Sequence, residues 1–381
     1  MSNNTVTVLI PTFNRAHYLS ECLDSILSQT IKPHQIIVID DGSEDGTQSL
    51  LEAYAGQVTV LKKANGGKST ALNLGLQHVT GNFVWVFDDD DVALPDAIEK
   101  RLKIFASNPE VEFVYTSHFW GCDGDKKIQI INQQNIDIPS PAEYFYTVLT
   151  GFFFALQSVL VRTECFEKTG QYDESLFRGQ DYDMLIRLGR HCSGMGINEP
   201  TFIFRKHAGV RGPIQELHLT NNSNDMWAKY DITIATKIRE SLALEEYLAE
   251  RTYDLANVEQ SCREALIRRM SVMSSKGLVA EMIDDLKQAI NAAPDLELSA
   301  DERLICRKLV CFPRLLSELR NNSSDIMNCL QEISKTKAGG QVAGAMMRGF
   351  FWLVRSPERD LNERLLYLHL LLRCFKLALR I

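Results

Sequence analysis

Residues 84–95 read VWVFDDDDVALP, an apolar run that breaks into four consecutive aspartates, Asp88 to Asp91, before the chain turns apolar again and reaches a proline. Four adjacent carboxylates repel one another. A hard divalent cation, which takes oxygen ligands, makes such a cluster tolerable and keeps coordination positions open for phosphate oxygens. The alternative is an exposed acidic turn in which Asp91 and Asp96 only head the next helix. A second acidic stretch, VIDDGSEDGT at 38–47, also leaves an apolar run. A carboxylate there can accept the imide N–H of a uracil or thymine ring; a plain Asp-Gly turn is the alternative. A third stretch, NGGKSTALNLGL at 65–76, sets Gly66 and Gly67 ahead of a helical pattern. Backbone can approach a ligand closely there, the helix N-terminus favours anions, and Lys68 adds a charge for a diphosphate. Neither GxxxxGK[ST] nor GxGxxG is present.

These stretches sit at element ends. VTVLIP (6–11), IIVID (36–40), VTVLK (58–62) and FVWVF (83–87) are short apolar runs suited to buried strands. Helical spacing follows the first through Leu19, Cys22, Leu23, Ile26 and Leu27, with Asn14 as the expected N-cap. Further helices are expected around 48–54, over 69–79, and from Pro95 as a first-turn residue. Strands alternating with helices predict an α/β fold with a mostly parallel, Rossmann-like sheet and right-handed crossovers. Ligands gather at the carboxyl ends of such strands, which puts Asp40, Asp41 and the aspartate quartet on one rim. Later, FFFALQSVLVR (152–162) and TFIFRKH (201–207) read as strands and DYDMLIRLGRH (181–191) as a helix. Beyond Asn224 the pattern is helical throughout. The expected organisation is an α/β domain at 1–223 and an all-helical region at 224–381.

The bulk composition excludes some classes. A net charge of −8 over 381 residues argues against a nucleic-acid binder. Nine dispersed cysteines without a CxxC pair suit reduced thiols in a cytoplasm rather than a zinc site. No signal peptide and no membrane-spanning run is expected. Residues 341–381 carry seven Lys/Arg against three Asp/Glu, a basic tail in an acidic chain. Such a tail can lie on an anionic membrane surface, or it can be a packing helix with solvated arginines.

In combination and order, VLIPTFNRAHYLSECLDSILSQT, IIVIDDGSEDGT, NGGKSTALNLGL and FDDDDVALPDAI resemble family 2 glycosyltransferases of the GT-A fold, over about Thr5 to His207. The resemblance implies a nucleotide-sugar donor, UDP- or dTDP-linked, a divalent metal (Mn2+ or Mg2+), and transfer with inversion to a hydroxyl of a glycan or glycolipid acceptor. Carried over by position, Pro11, Thr12 and Phe13 frame the nucleotide, and Asp41 matches the base-binding aspartate. Gly67 and Lys68 stand with them at the donor. DDDD matches DxDD, making Asp88 and Asp90 the DxD pair and Asp90 a metal ligand; Asp89 fills the variable position beside the donor. GQDYDMLIRL (179–188) is similar to the family's GEDYDLWLRL, so Asp181 matches the general base, with Gln180 replacing the usual glutamate. FRKHAGVRG (204–212) resembles the R-x-H segment and nominates His207 for the metal or diphosphate, with Arg205 or Arg211 for phosphate. Gln157 and Ser158 fall where the family places acceptor-facing residues, and Phe152 to Phe154 face the acceptor or fill the core.

The QxxRW signature of processive synthases is absent, which favours a single-addition transferase, as in surface-glycan or lipid-linked precursor assembly. The expected place of work is the cytoplasm, at the inner face of the cell membrane if the basic tail docks there. Two rivals are weighed. A nucleotidylyltransferase would want a GGxGTRL-type loop after the first strand, which PTFNRAHYL does not supply. A catalytically inactive nucleotide-binding scaffold would not need Asp41, Asp90 and Asp181 together. The helical region is open to a partner, a homo-oligomer contact or a membrane.

Overall fold

The computed structural model describes residues 4–124, 127–151, 154–207, 223–321 and 324–379. The chain divides into two compact units, residues 1–148 with 152–230, and residues 231–381 with 149–151. Arg211, Phe152 and Phe153 lie outside the described residues.

The first unit begins with strand–helix alternation: β1 (Val6–Thr12), α1 (Ala16–Leu27), β2 (Gln35–Asp40), α2 (Thr47–Glu52), β3 (Thr59–Lys62), α3 (Lys68–Leu76) and β4 (Phe83–Val86). Then come β5 (Val92–Ala93), α4 (Ala97–Ser107), β6 (Phe113–Thr116), β7 (His118–Asp123), β8 (Ile128–Gln134), α5 (Tyr144–Thr150), β9 (Leu160–Arg162), α6 (Cys165–Thr169), α7 (Gln180–His191), β10 (Gly194–Ile197) and β11 (Phe202–Lys206). Seven strands make the main sheet in the order β10-β6-β9-β4-β1-β2-β3. All its pairings are parallel except those of β9, which runs antiparallel to β4 and β6. A smaller sheet, β5-β11-β7-β8, stands beside it.

Burial explains the order. Apart from Pro11 in β1 and Gln35 in β2, which are partly exposed, β1, β2 and β4 are buried along their length; edge strand β3 is partly exposed. Val8, Ile10 and Val38 share a core with Leu19, Cys22, Leu23 and Ile26 of α1, so the helical stripe read from sequence meets one face of the sheet. Parallel registry then fixes the site. Thr12 pairs with Asp40, and Leu9 with Val86, so three strands end on one rim and the segments after them converge.

Local details differ from the sequence expectations. Asn14 is not a cap: it adopts φ 53°, and its side-chain oxygen accepts the N–H of Glu44 at 2.8 Å. The α1 N-terminus is served instead by Asp45, whose carboxylate accepts the Ala16 N–H at 3.1 Å. Pro95 lies two residues ahead of α4 rather than in its first turn. Only the last three residues of FFFALQSVLVR, Leu160–Arg162, form a strand; residues 156–158 form a 3-10 turn, and Phe154 stacks on Tyr115 in the core.

In the second unit, with α8 (Ser223–Ser241) leading in, the helices are α9 (Val258–Lys276), α10 (Val279–Ala292), α11 (Ala300–Lys308), α12 (Pro313–Asn321), α13 (Ser324–Ile333), α14 (Lys337–Arg355) and α15 (Leu361–Ala378). Its centre holds a charged pair. Arg263, fully buried, donates to both carboxylate oxygens of Glu302 and to the carbonyls of Ala293, Leu296 and Glu297. Glu302 also accepts the Ser299 N–H in the capping box of α11. One buried ion pair thereby ties three segments. No helix among the described residues is long and apolar enough to cross a membrane.

Candidate functional site

The aspartate quartet follows β4 after Phe87, and its members are held from several segments. Asp88 accepts from Lys68 Nζ at 2.7 Å and from the Gln157 amide. Asp89 accepts the Thr12 hydroxyl at 2.6 Å and lies 3.7 Å from the Arg15 guanidinium. Asp90 is paired with Arg15 and stands 2.9 Å from His207 Nε2. Asp91 accepts the Arg205 N–H at 2.9 Å, and Arg205 Nε donates to the Asp90 carbonyl at 2.7 Å. Carboxylate oxygens of Asp88, Asp90 and Asp91 come within 4.8 Å of one another, near enough to share an ion. Four adjacent aspartates are therefore held by strand-end geometry and by cations from three other segments.

The electrostatics follow from this crowding. Burial pushes the Asp89 carboxyl up to about 7, with Arg15 pulling back and Asp90 pushing further. Burial also raises Asp88, against the pull of Lys68. Burial works against the charges of Lys68 and Arg15 as well, but Asp181 and Asp88 in the one case, and Asp89 and Asp90 in the other, outweigh it and hold both cations above their ordinary range.

Asp181 reaches the same rim from far along the chain. It lies in the first turn of α7, whose N-cap Gly179 takes φ 74°. One of its oxygens accepts from Lys68 Nζ at 3.1 Å; the other is buried with no hydrogen-bond partner among the described residues. Lys68 thus bridges Asp88 and Asp181, two carboxylates 93 positions apart in sequence. Gln180, in place of an acid, is buried beside it. A second glutamate-type charge there would add to a rim already crowded with carboxylates.

The β2 end of the rim is organised around Asp41. Its carboxylate accepts the N–H groups of Gly66 at 3.0 Å and Gly67 at 2.7 Å, Lys63 Nζ at 2.5 Å, and Asn65 Nδ2 at 3.2 Å. The Asp41 N–H is donated to the Thr12 carbonyl at 2.9 Å, which joins this loop to the end of β1. Gly42 has φ 84°, and a Cβ there would stand 2.9 Å from the Asn65 nitrogen, so the close turn admits only glycine. Asp41 is therefore the organiser of the glycine loop as well as a rim carboxylate. Asp40 accepts the Ser43 N–H at 2.9 Å and closes the turn.

Of the remaining candidates, Thr12, Gln157 and His207 touch the aspartates, and Pro11 and Phe13 flank Thr12 at the end of β1. Ser158 does not join them: it is fully buried and its hydroxyl donates to the Ala155 carbonyl at 2.6 Å. The residues that sequence reasoning missed are cationic and acidic supports. Arg15 holds Asp90. Arg205, nominated for phosphate, is almost fully buried and paired with Glu21 and Asp123, with its guanidinium over the Tyr18 ring at 4.7 Å. The only sequence signal for Arg15 was its place in the β1–α1 connection, where a side chain can turn toward the rim.

The sequence profile of the family described as glycosyl transferase family 2 matches residues 7–170. An uncharacterized glycosyltransferase of Rickettsia prowazekii (strain Madrid E) is 31% identical over 235 residues, covering 59% of this chain and 71% of that one. A chondroitin synthase of Pasteurella multocida is 29% identical over 186 residues, covering 48% of this chain but 18% of its own length. Among solved structures, S. aureus TarS 1-349 superposes with a TM-score of 0.50 at 16% identity, over 93% of each chain, a likeness of fold.

Proposed function

The chain belongs to glycosyl transferase family 2 and has the GT-A fold, and from that premise we propose that it moves a sugar, with inversion, from a UDP- or dTDP-sugar to a hydroxyl of a glycan or lipid-linked acceptor. The observation that carries this reading is the Lys68 bridge between Asp88 and Asp181. An Asp181 oxygen with no hydrogen-bond partner among the described residues, beside the strand-end rim, supports reading that rim as the donor-phosphate side.

In this reading Asp181 is the general base. Its unpartnered oxygen takes the proton of the acceptor hydroxyl as that oxygen attacks the anomeric carbon opposite the leaving diphosphate. Lys68 lies against the diphosphate side and balances charge that grows there. Thr12, with Pro11 and Phe13, frames the nucleotide. Asp41 shapes the edge of the base pocket, and Lys63 is the partner that a base N–H would replace. Gln157 keeps Asp88 oriented.

The donor set fits a hard divalent cation, because three carboxylates converge within 4.8 Å and cationic side chains neutralise them in the described structure. Asp88, Asp90 and Asp91, with His207 beside Asp90, would hold Mg2+ or Mn2+. Such an ion supplies Lewis-acid stabilisation to the leaving diphosphate.

The test is Asp181→Asn, with nucleoside diphosphate released from a panel of donors as the readout and calorimetric donor binding measured in parallel. We expect release to fall by at least about a hundredfold, the scale of general base catalysis, with donor affinity kept within a few-fold. Loss of binding in step with activity would contradict the base assignment.

A further inference from the structure

Helix α15 is apolar on two faces. Tyr367, Leu370, Cys374 and Leu377 are buried in the helical unit. On the opposite side Leu361, Leu365, Leu368, Leu372, Phe375 and Leu379 are exposed, Leu361 at 72% and Leu379 at 68%. Their spacing alternates between four and three residues, so they form one continuous stripe along the helix. Phe351 and Trp352 near the end of α14 extend the apolar surface, Trp352 at 59% exposed. Eight of the seventeen exposed large hydrophobic residues among those described thus fall between positions 351 and 379. Isolated exposed leucines need no explanation; a stripe concentrated in under a tenth of the chain does.

Charge decides between occupants. Residues 341–381 carry a net +4 within a chain of −8, so the rest of the protein carries −12. Two of the segment's three acids are engaged at the start of α15, where Asp360 accepts the Glu363 N–H at 2.8 Å and Glu363 pairs with Arg320 and Arg359; the third, Glu358, lies in the turn before the helix. Basic side chains border the stripe instead. Arg364, His369 and Lys376 follow its flanks on α15, and Arg348 and Arg355 are exposed on α14, with Arg355 over the Phe351 ring at 5.3 Å. A second copy of α15 would set these basic flanks against each other with no acidic partner. Anionic lipid headgroups would pair with them while the leucines enter the acyl boundary, and Trp352 suits the level between. No described helix can span a membrane, so the contact is interfacial.

We propose that the exposed face of α14 and α15 docks this protein onto an anionic lipid bilayer surface. The full chain is floated with phosphatidylcholine vesicles and with vesicles that also contain phosphatidylglycerol. Wild type is expected to rise with the anionic vesicles and to be released by salt. Arg355→Glu with Lys376→Glu lowers partitioning about 25-fold or more at low salt, about fivefold per basic residue removed. Leu368→Glu with Leu372→Glu abolishes flotation with an unchanged melting temperature, because both positions are exposed. A blue shift of tryptophan emission on anionic vesicles disappears in Trp352→Phe. The proposal is overturned if folded wild type stays in solution with both vesicle types, or if the leucine double variant partitions like wild type. It is equally overturned if light scattering finds a dimer that this variant dissociates while no vesicle is bound, since a second copy then covers the face.

Discussion

Replacing Lys68 by methionine removes the one ammonium that joins Asp88, at 2.7 Å, to Asp181, at 3.1 Å. All three side chains are about a quarter exposed or less. At an effective dielectric of about 20, each pair carries a gross attraction of roughly 5 kcal/mol. Desolvation of the carboxylates and ordering of the long lysine chain offset most of that, leaving a net loss of about 1–3 kcal/mol for the variant. In a unit of this size that is a fall in melting temperature of roughly 3–9 °C. The folded-state value of Lys68 is raised, so its contribution is fully present below the ordinary lysine value and is lost only as pH rises through the folded value. The penalty must therefore be flat between pH 6 and 8. Removing the ammonium also leaves Asp88 less neutralised, so Mg2+ or Mn2+ should raise the melting temperature of Lys68→Met more than that of wild type. Differential scanning fluorimetry with and without metal, at three pH values, reads all of this. A metal-free melting temperature within a degree of wild type, or equal metal shifts in both proteins, would refute the reasoning.

Other consequences are as direct. Asp89, held near 7, retains a proton that the unfolded chain releases near 4, so stability falls as pH rises through that window. Asp89→Asn should then stabilise the metal-free protein at pH 8 by up to about 4 kcal/mol, an advantage that fades toward pH 5 in urea titrations. Arg263→Met strands the buried Glu302 carboxylate and should cost about 3–5 kcal/mol in denaturant unfolding; adding Glu302→Leu should restore much of it. Gly42→Ala forces a Cβ to 2.9 Å from the Asn65 nitrogen at a positive φ. It should cost more than about 1 kcal/mol and weaken donor binding through the Asp41 loop, read by melting and calorimetry.

The rim was legible in the sequence because each of its strands is an apolar run that ends in a chemical signal. IIVID ends in Asp40 and Asp41, and VWVF ends in the quartet; parallel pairing then brings those ends together. Asp181 was legible through the segment around α7 and the turn that precedes it. Side-chain direction at loop positions was not. Nothing in the spacing says that Asp41 turns in to hold the glycine loop, or that the Ser158 hydroxyl closes its own turn. Arg15 and Arg205 find their carboxylates across 75 and more positions, a choice made by packing. The smaller sheet escaped because β5 is two residues long and β11 pairs with strands from distant parts of the chain. Asn14 looked like a cap by residue type, but its positive φ and its bond to Glu44 give it to the β2–α2 turn.

The central claim is a nucleotide-sugar donor site on the β1–β2–β4 rim, and donor binding by the wild-type protein tests it most directly. Nucleoside diphosphates and their sugar conjugates are added one at a time, with and without Mn2+ or Mg2+, while the melting temperature is followed. The account predicts a metal-dependent rise with a UDP- or dTDP-sugar, about 2.7 kcal/mol of stabilisation at a hundredfold excess over Kd. A folded protein whose melting temperature no nucleotide moves, with either metal, would contradict it.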